Sequence, residues 1–248
     1  MKKRYALPVT AIALTALMAG TAAAAGTTVT DWSQDFEKGP NTFLGTDADW
    51  YGTLDKVRSN KNTLPTIDGS KFYAVINGDD SSAPFSRFGG YSDTWDGDWV
   101  AELDVYLDPA WETGEAFDYS VAATGTDGNH QRDFIFHVTK DTSEDALLVG
   151  GSNNTNFAPK ENLENGNHYE VTAAGWYTLQ HSFYDDGGVL AVDLNLLDAE
   201  GTVVFTETRR ASADTIGENG EVGGNRYAWF TFSTVDSLPI DNHEIYNK

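Results

Sequence analysis

Two carboxylates stand two residues apart in the segment 99–108, which reads WVAELDVYLD. Glu102 and Asp104 alternate with the apolar Leu103 and Val105. In an extended strand both acids therefore point to the face opposite the apolar side chains. A pair of carboxyl groups can work as a general acid together with a base or a nucleophile. The spacing makes Glu102 and Asp104 candidate catalytic residues.

A second candidate site is predicted around residues 129–137, NHQRDFIFH, the densest set of polar and titratable side chains. An imidazole can move a proton there, while an arginine and an amide can hold a carboxylate or an oxyanion. A further arginine and a tyrosine come from the segment 87–91, RFGGY. The structural alternative is a histidine hydrogen-bonded inside a sheet and an arginine paired with a carboxylate. The side chains concerned are Arg87, Tyr91, Gln131, Arg132 and His137.

A polar loop at residues 150–156, GGSNNTN, offers a different kind of chemistry. Asparagine amides donate and accept hydrogen bonds at once, which matches sugar hydroxyls. An aromatic ring such as Trp95 or Phe157 can stack on a pyranose face. A plain turn is the structural alternative. The predicted ligand-binding residues of this loop are Asn153, Asn154 and Asn156.

Alternating apolar and polar residues predict the strands that must position these side chains. The clearest case is a three-stranded meander at 175–208, in which Leu190, Val192 and Leu194 share one face. We expect ten to thirteen strands in all, and a helix only at 211–216. Further strands are predicted from Trp32 and at residues 71–77, 99–108, 117–124, 132–139, 165–169, 226–234 and 238–246.

Many short alternating strands joined by Gly and Asp turns are typical of two packed antiparallel sheets. The pattern resembles the concanavalin A-like (laminin G-like) jelly rolls in three places: WVAELDVYLDP at 99–109, the WYTL strand with its Gly187–Gly188 hairpin, and LPIDN at 238–242. The predicted fold class is therefore all-β, a two-sheet antiparallel sandwich of the jelly-roll type, with residues 26–248 as a single domain. The resemblance implies a role on glycans, as a lectin-like binding module, a glycoside hydrolase or a polysaccharide lyase.

The resemblance also implies roles for single residues. Retaining glucanases of this fold carry the strand motif Glu-x-Asp-x-x-Glu, which would place two of its acids at Glu102 and Asp104. Leu107 stands where the third acid belongs, so the general acid is missing from its place. Jelly-roll lyases gather an Arg, an Asn or Gln, a His and a Tyr on the concave sheet. This chain has each of these types, but not the spacing of those families.

The first 25 residues have the pattern of a bacterial-type signal peptide. Three basic residues at 2–4 precede an apolar run at 9–19, and small residues at 22–25 predict cleavage before Gly26. The apolar run is too short to span a bilayer stably. We therefore expect an exported protein, periplasmic or extracellular, that is not inserted in the membrane.

The composition limits the classes of molecule that the protein can bind. The chain has 38 acidic and 16 basic residues and a net charge of −22. This charge excludes nucleic acid and anionic membrane as partners and argues more weakly against polyanionic substrates. The sequence predicts no cofactor, except that clustered carboxylates suit a calcium ion. The chain has no cysteine, so its stability must come from an aromatic-rich core and not from disulfides.

Because no catalytic motif is complete, we expect an exported, non-catalytic glycan-binding or cell-surface interaction module. The alternatives are a lyase that uses Arg132, Gln131 and His137, or a hydrolase that uses Glu102 and Asp104. An envelope protein without a site is the third class. A lyase requires its arginine, histidine and a tyrosine in one groove, and a retaining hydrolase requires two carboxyl groups about 5 Å apart.

Overall fold

The computed structural model describes residues 31–38, 44, 50–59, 64–67, 69–78, 83–92, 94–125, 127–141, 143–153, 163–216 and 222–248. The predicted signal peptide and two members of the polar loop, Asn154 and Asn156, lie outside these residues. The described chain is built from strands, with a 3-10 turn at Leu163–Asn165. It contains no helix with the length and apolar character needed to cross a membrane.

The strands follow one another along the chain as fifteen elements. They are β1 (Trp32–Gln34), β2 (Trp50–Tyr51), β3 (Asp55–Arg58), β4 (Phe72–Ile76), β5 (Phe85–Ser86), β6 (Trp99–Leu107), β7 (Ala116–Thr124), β8 (His130–Lys140), β9 (Leu147–Asn153), β10 (His168–Val171), β11 (Gly175–Asp185), β12 (Val189–Leu197), β13 (Val203–Thr215), β14 (Gly224–Ser233) and β15 (Leu238–Asn247).

These strands form two antiparallel sheets, so the predicted two-sheet sandwich is confirmed. The eight-stranded sheet has the order β13-β12-β11-β6-β15-β4-β3, with β1 paired to β15. The seven-stranded sheet has the order β10-β9-β8-β7-β14-β5-β2. Strands that are distant in sequence therefore lie side by side, and each sheet has one face toward the other sheet and one outer face.

The hydrophobic core fills the space between the sheets, and the alternation pattern predicts its members correctly. Leu190, Val192 and Leu194 are fully buried in one cluster with residues of both sheets. The meander turns where predicted, with Gly187 at a φ of 67° between β11 and β12. Burial of apolar area at roughly 25 cal/mol per Å² is the main stabilising contribution. The core-facing side chains of β6 are Trp99, Ala101, Leu103, Val105 and Leu107.

The helix predicted at 211–216 is wrong. Strand β13 continues to Thr215, which pairs with Val189 of β12. Pairing with a neighbouring strand satisfies the backbone of this segment, and this tertiary contact outweighs a weak local helix preference. The expected strand number is also too low, because β2 and β5 have only two residues each and cannot show a period of two.

Candidate functional site

Glu102 and Asp104 lie on the outer face of the eight-stranded sheet, as their alternation with core residues predicts. They line a cleft of about 430 Å³ that also borders the turn between β12 and β13. The other polar side chains that line this acidic cleft are Ser33, Gln34, Asp35, Thr178, Asp198, Asn242 and Glu244.

Two further acids reach this face from the neighbouring strand β15. In the β6–β15 ladder Asp241 is the partner of Asp104. Glu244 is the partner of Glu102. A register shift separates the two pairs, and Asn242 adopts a φ of 39° within it. This bulge adds a residue to β15 and keeps both acids on the outer face. The acid that β6 itself lacks thus has counterparts on the last strand of the chain.

Crowding of the acids raises two pKa values. Burial, and then the adjacent Glu102 to which it hydrogen-bonds, raise the pKa of Glu244 from 4.5 to about 7. Burial, and then the charges of Asp104 and Glu37, raise the pKa of Asp241 from 3.8 to about 7. Desolvation and like charges both disfavour the ionised form. Near neutral pH, Glu244 therefore carries a proton for part of the time.

Protein donors already satisfy the two acids of β6. Glu102 accepts a hydrogen bond from Tyr246 Oη at 3.1 Å and another from Gln180 Nε2. Asp104 accepts one from Thr178 Oγ1 at 2.5 Å. Each donor comes from an adjacent strand, so the hydrogen bonds tie β6 to β11 and β15. The carboxylates have a structural role that accounts for their place in the sheet.

The carboxyl groups of Glu102 and Glu244 lie closer together than the carboxyl pair of a glycosidase. Retaining enzymes hold their carboxyl groups about 5 to 5.5 Å apart and inverting enzymes about 6.5 to 9.5 Å. Glu102 and Glu244, by contrast, hydrogen-bond each other directly. Among the described residues, no group of three or more His, Asp or Glu side chains is arranged to hold a metal ion. Calcium stays a prediction from composition.

Arg132 and His137 both lie on β8 but point to opposite faces of the sheet. Arg132 is 8% exposed and forms a bidentate pair with Asp214 of β13, on the opposite sheet. A lyase requires the arginine and the histidine in one groove. The ion pair with Asp214 turns Arg132 toward the space between the sheets, so the two side chains do not converge.

His137 belongs to a hydrogen-bonded network on the outer face of the seven-stranded sheet. Its Nδ1 lies 2.7 Å from Asp118 Oδ1, and its Nε2 lies 2.7 Å from Ser152 Oγ. The order of the groups is that of a Ser–His–Asp triad. Ser152 and His137 are both 0% exposed, however. The network satisfies buried polar groups without exposing a nucleophile, in line with the structural alternative for His137.

Three other predicted ligand-binding residues are dispersed. Trp95 is 3% exposed and stacks on Trp99 at a centroid distance of 5.9 Å. Asn153 is fully buried on the core side of β9. Gln131 lies at the rim, with Nε2 3.4 Å from the carbonyl oxygen of Thr215. Their burial keeps the ring of Trp95 and the amide of Asn153 away from the surface, where a sugar would bind.

A row of aromatic rings lies on the outer face of the seven-stranded sheet. No sequence motif predicted it. Tyr51 of β2 is the partner of Phe85 of β5, and Phe85 is the partner of Trp229 of β14. The rings of Tyr51 and Phe85 stack at 4.7 Å with an interplanar angle of 6°. Tyr227 adds a fourth ring, 6.2 Å from that of Trp229. We call these four half-buried residues the aromatic strip.

Polar side chains border the aromatic strip on the side of β7 and β8. Tyr227 Oη donates a hydrogen bond to Asp133 Oδ1 at 3.0 Å, and Ser120 Oγ donates to the same oxygen at 3.3 Å. His130 Nε2 lies 3.0 Å from the other oxygen of Asp133. Burial and the charge of Asp133 raise the pKa of Tyr227, so its hydroxyl remains a donor. Asp133 therefore organises this border.

Arg87 and Tyr91, both predicted to bind a ligand, meet beside the strip. The Arg87 guanidinium carbon lies 5.0 Å from the ring centroid of Tyr51, 5.9 Å from that of Phe85 and 5.2 Å from that of Tyr91. The Arg226 guanidinium carbon lies 5.9 Å from the centroid of Tyr91, whose side chain is 38% exposed. The structure thus brings two predicted residues together with rings and a cation that were not predicted.

The sequence could have indicated the part of the aromatic strip that lies on β14. Strand β14 reads GNRYAWFTFS, in which Tyr227 and Trp229 alternate with core residues such as Phe230. Aromatic residues at both alternating positions indicate a strand whose outer face is also partly apolar. The other two members lie in two-residue strands and have no periodic signal.

Comparisons with known proteins give matches only among solved structures, since no protein-family model and no curated sequence matches the chain. A protein of unknown function from Shewanella oneidensis MR-1 is 10% identical with a TM-score of 0.49, covering 89% of this chain and 88% of that one. The CBM2 module of the evolved Dit of Lactobacillus casei BL23 phage J-1 is 14% identical with a TM-score of 0.42, covering 88% and 96%. The Lotus tetragonolobus seed lectin is 9% identical with a TM-score of 0.44, covering 87% and 96%.

The similar structures also include a prokaryotic lichenase. The TM-scores lie below 0.5 and the identities between 9% and 14%, so the function has to be argued from this chain's own residues.

Proposed function

We propose that the protein binds a glycan on the aromatic strip, as a non-catalytic module that works outside the cytoplasmic membrane. The observation that carries the proposal is the register of Tyr51, Phe85 and Trp229, which places three half-buried rings side by side on three neighbouring strands. Such rings on the outer face of a sheet have no core to fill. Their position is better explained by a ligand than by folding.

The physics of stacking favours a sugar as that ligand. A pyranose ring has an apolar face, and its contact with an aromatic ring removes both surfaces from water. Neighbouring strands lie about 4.8 Å apart, so rings on three strands span about 10 Å. A track of this length suits an oligosaccharide better than a single sugar. The rings are held by strands and need little ordering when the ligand binds.

The polar border supplies the directional contacts that a sugar needs. Asp133 and His130 present an acceptor and a donor beside Tyr227, and sugar hydroxyls can use both. Few convergent polar groups beside an apolar surface are typical of small-molecule sites. The border would therefore fix the orientation of the glycan, while the rings provide most of the affinity.

The enzyme alternatives receive less support. The carboxyl groups of Glu102 and Glu244 lie within hydrogen-bonding reach of each other, closer than the carboxyl pair of a glycosidase, and Arg132 faces away from His137. Export is supported by the N-terminal sequence pattern and by the acidic composition. These features together favour binding outside the cell over catalysis.

The proposal is tested by measuring polysaccharide binding with Trp229→Ala and with a matched control, Tyr106→Ala. Tyr106 is a half-buried aromatic residue on the outer face of the other sheet. We expect Trp229→Ala to weaken binding about tenfold or more, because truncating a central aromatic contact costs about 2 kcal/mol. We expect Tyr106→Ala to bind within about twofold of the wild type. Calorimetric titration of a glycan-array hit gives both values, and circular dichroism verifies folding.

Two results would contradict the proposal. One is the absence of any glycan ligand up to millimolar concentration for the folded wild type, which would favour an envelope protein without a site. The other is an equal loss of affinity in both variants, which would place the ligand elsewhere. Trp229→Phe provides a further check, since it retains a ring and should keep part of the affinity.

A further inference from the structure

Two arginines that share one ring lie beside the aromatic strip. The guanidinium carbons of Arg87 and Arg226 lie 5.2 and 5.9 Å from the ring centroid of Tyr91. Each cation gains some stabilisation from the ring, typically about 0.5 to 2 kcal/mol. Two like charges beside one exposed tyrosine nevertheless repel each other. Such an arrangement is most stable when an anion lies near both.

Arg87 and Arg226 have no carboxylate partner among the described residues, although the chain is acidic. Three other described arginines pair with carboxylates, Arg132 with Asp214, Arg209 with Glu207 and Arg210 with Asp186, whereas Arg58 forms no such pair within the described chain. Acidic residues outnumber basic ones by 38 to 16, so carboxylates are plentiful.

The contacts of the Arg87 side chain also favour an anionic ligand. Its Nε is buried and has no hydrogen-bond partner among the described residues. Three rings, those of Tyr51, Phe85 and Tyr91, surround its guanidinium group instead. Rings satisfy the charge only in part and accept no conventional hydrogen bonds. A guanidinium group binds the two oxygens of a carboxylate or sulfate with parallel, charge-assisted hydrogen bonds.

We propose that Arg87 and Arg226 form an anion subsite, and that the glycan on the aromatic strip carries a single acidic group, a uronate carboxylate or a sulfate ester, among neutral sugars. The inference rests on the proposed function. Neutral units stack on the strip, and the acidic group reaches the arginine pair beside Tyr91. A polyanion is disfavoured because the net charge of −22 repels it as a whole.

The test compares neutral and singly charged ligands on the same backbone. The probes are xylohexaose and cellohexaose, each neutral, with one glucuronate branch or with one sulfate ester. We expect the wild type to prefer one singly charged form by about tenfold, the usual worth of a charge-assisted pair. Arg226→Gln should remove this preference and bind the charged and neutral forms equally.

A matched control is Arg58→Gln. Arg58 also lies beside a ring, 5.8 Å from the centroid of Phe72, but on the eight-stranded sheet. This variant should keep the wild-type preference. The charged probe that the wild type binds more tightly, with glucuronate or with sulfate, identifies the acidic group.

The outcomes separate the two proposals. Equal binding of neutral and charged probes by the wild type overturns the anion subsite and leaves glycan binding intact. The same holds if Arg226→Gln keeps the preference. Binding that increases steadily with the number of charges also overturns the subsite, because it indicates a polyanion ligand. If no probe and no array glycan binds the wild type, the proposed function fails and the subsite fails with it.

Discussion

The two outer faces of the sandwich differ in how many of their groups are already satisfied. On the eight-stranded sheet, Glu102 and Asp104 accept hydrogen bonds from side chains of adjacent strands. On the seven-stranded sheet, the rings of the aromatic strip remain half-exposed. Arg87 and Arg226 beside it pair with no described carboxylate. On the face with the acidic cleft, protein hydrogen bonds therefore already satisfy the main polar groups, whereas the other face has groups open to a ligand.

This difference shows why a cleft lined by acids is weak support for catalysis by itself. A carboxylate held by several donors stabilises the fold, and freeing it for chemistry costs those hydrogen bonds. A ring or cation without a complete partner set gains most when a ligand arrives. Changes to satisfied groups should therefore reduce stability, and changes to the open face should reduce binding.

The largest expected effect concerns a satisfied arginine. Arg132→Gln should lower the free energy of unfolding by about 3 to 5 kcal/mol, because it leaves the buried carboxylate of Asp214 without its cation. Urea unfolding measures the loss. The double variant Arg132→Gln/Asp214→Asn should recover part of it. A loss under about 1 kcal/mol would mean that the pair lies in solvent-like surroundings, and the distinction between paired and open arginines would fail.

The next effect concerns two histidines of the core, whose burial makes the stability of the fold depend on pH. Burial lowers the pKa of His181 to about 3, and burial together with the nearby His181 lowers the pKa of His243 to about 3. Both are neutral in the fold and bind a proton near pH 6.5 when unfolded. Stability should therefore fall as the pH drops from about 6.5 to 3. His181→Phe should remove about one proton, or about 1.4 kcal/mol per pH unit, from this dependence.

Phenylalanine suits this position because His181 lies among the rings of Tyr119, Phe136 and Phe183. Urea midpoints between pH 3 and 7 give the slope. His168→Gln, a change at the half-buried start of β10, is the control for the loss of a histidine outside the core. An unchanged slope in His181→Phe would show that this histidine is protonated in the fold.

The smallest effect tests the raised pKa of Glu244 in the acidic cleft. The folded pKa of Glu244, about 7, lies above its usual 4.5. The stability that its proton provides is therefore complete below about pH 4.5 and lost as the pH rises to about 7. Glu244→Gln keeps a hydrogen-bond donor toward Glu102 at every pH. The variant should be more stable than the wild type by about 1 kcal/mol at pH 8 and by less at pH 5.

Urea unfolding at the two pH values measures this difference. Glu170→Gln, at an exposed acid of β10, serves as the control for the loss of a carboxyl group outside the cleft. If Glu244→Gln changes stability equally at pH 5 and pH 8, the fold does not raise the pKa of Glu244. Its glycan affinity should stay at the wild-type value, since the cleft lies on the sheet opposite the aromatic strip.

Local alternation predicted the core well and the site poorly. Leu190 and Val192 could be assigned to the core because the direction of a side chain in a strand depends only on its position in the alternation. The same rule placed Glu102 on the outer face. It could not show that Glu244 lies opposite, because that pairing depends on the strand order of the sheet and on the bulge at Asn242.

The sequence by itself determined the all-β class, the main strands and the side of each strand that faces the core, since these follow from a period of two along the chain. Tertiary structure decided which side chains meet. Tyr51, Phe85 and Trp229 come from three distant parts of the chain and line up only through the order and register of β2, β5 and β14. Arg87 and Arg226 likewise meet at Tyr91 only because these strands are neighbours, and no local pattern carries that information.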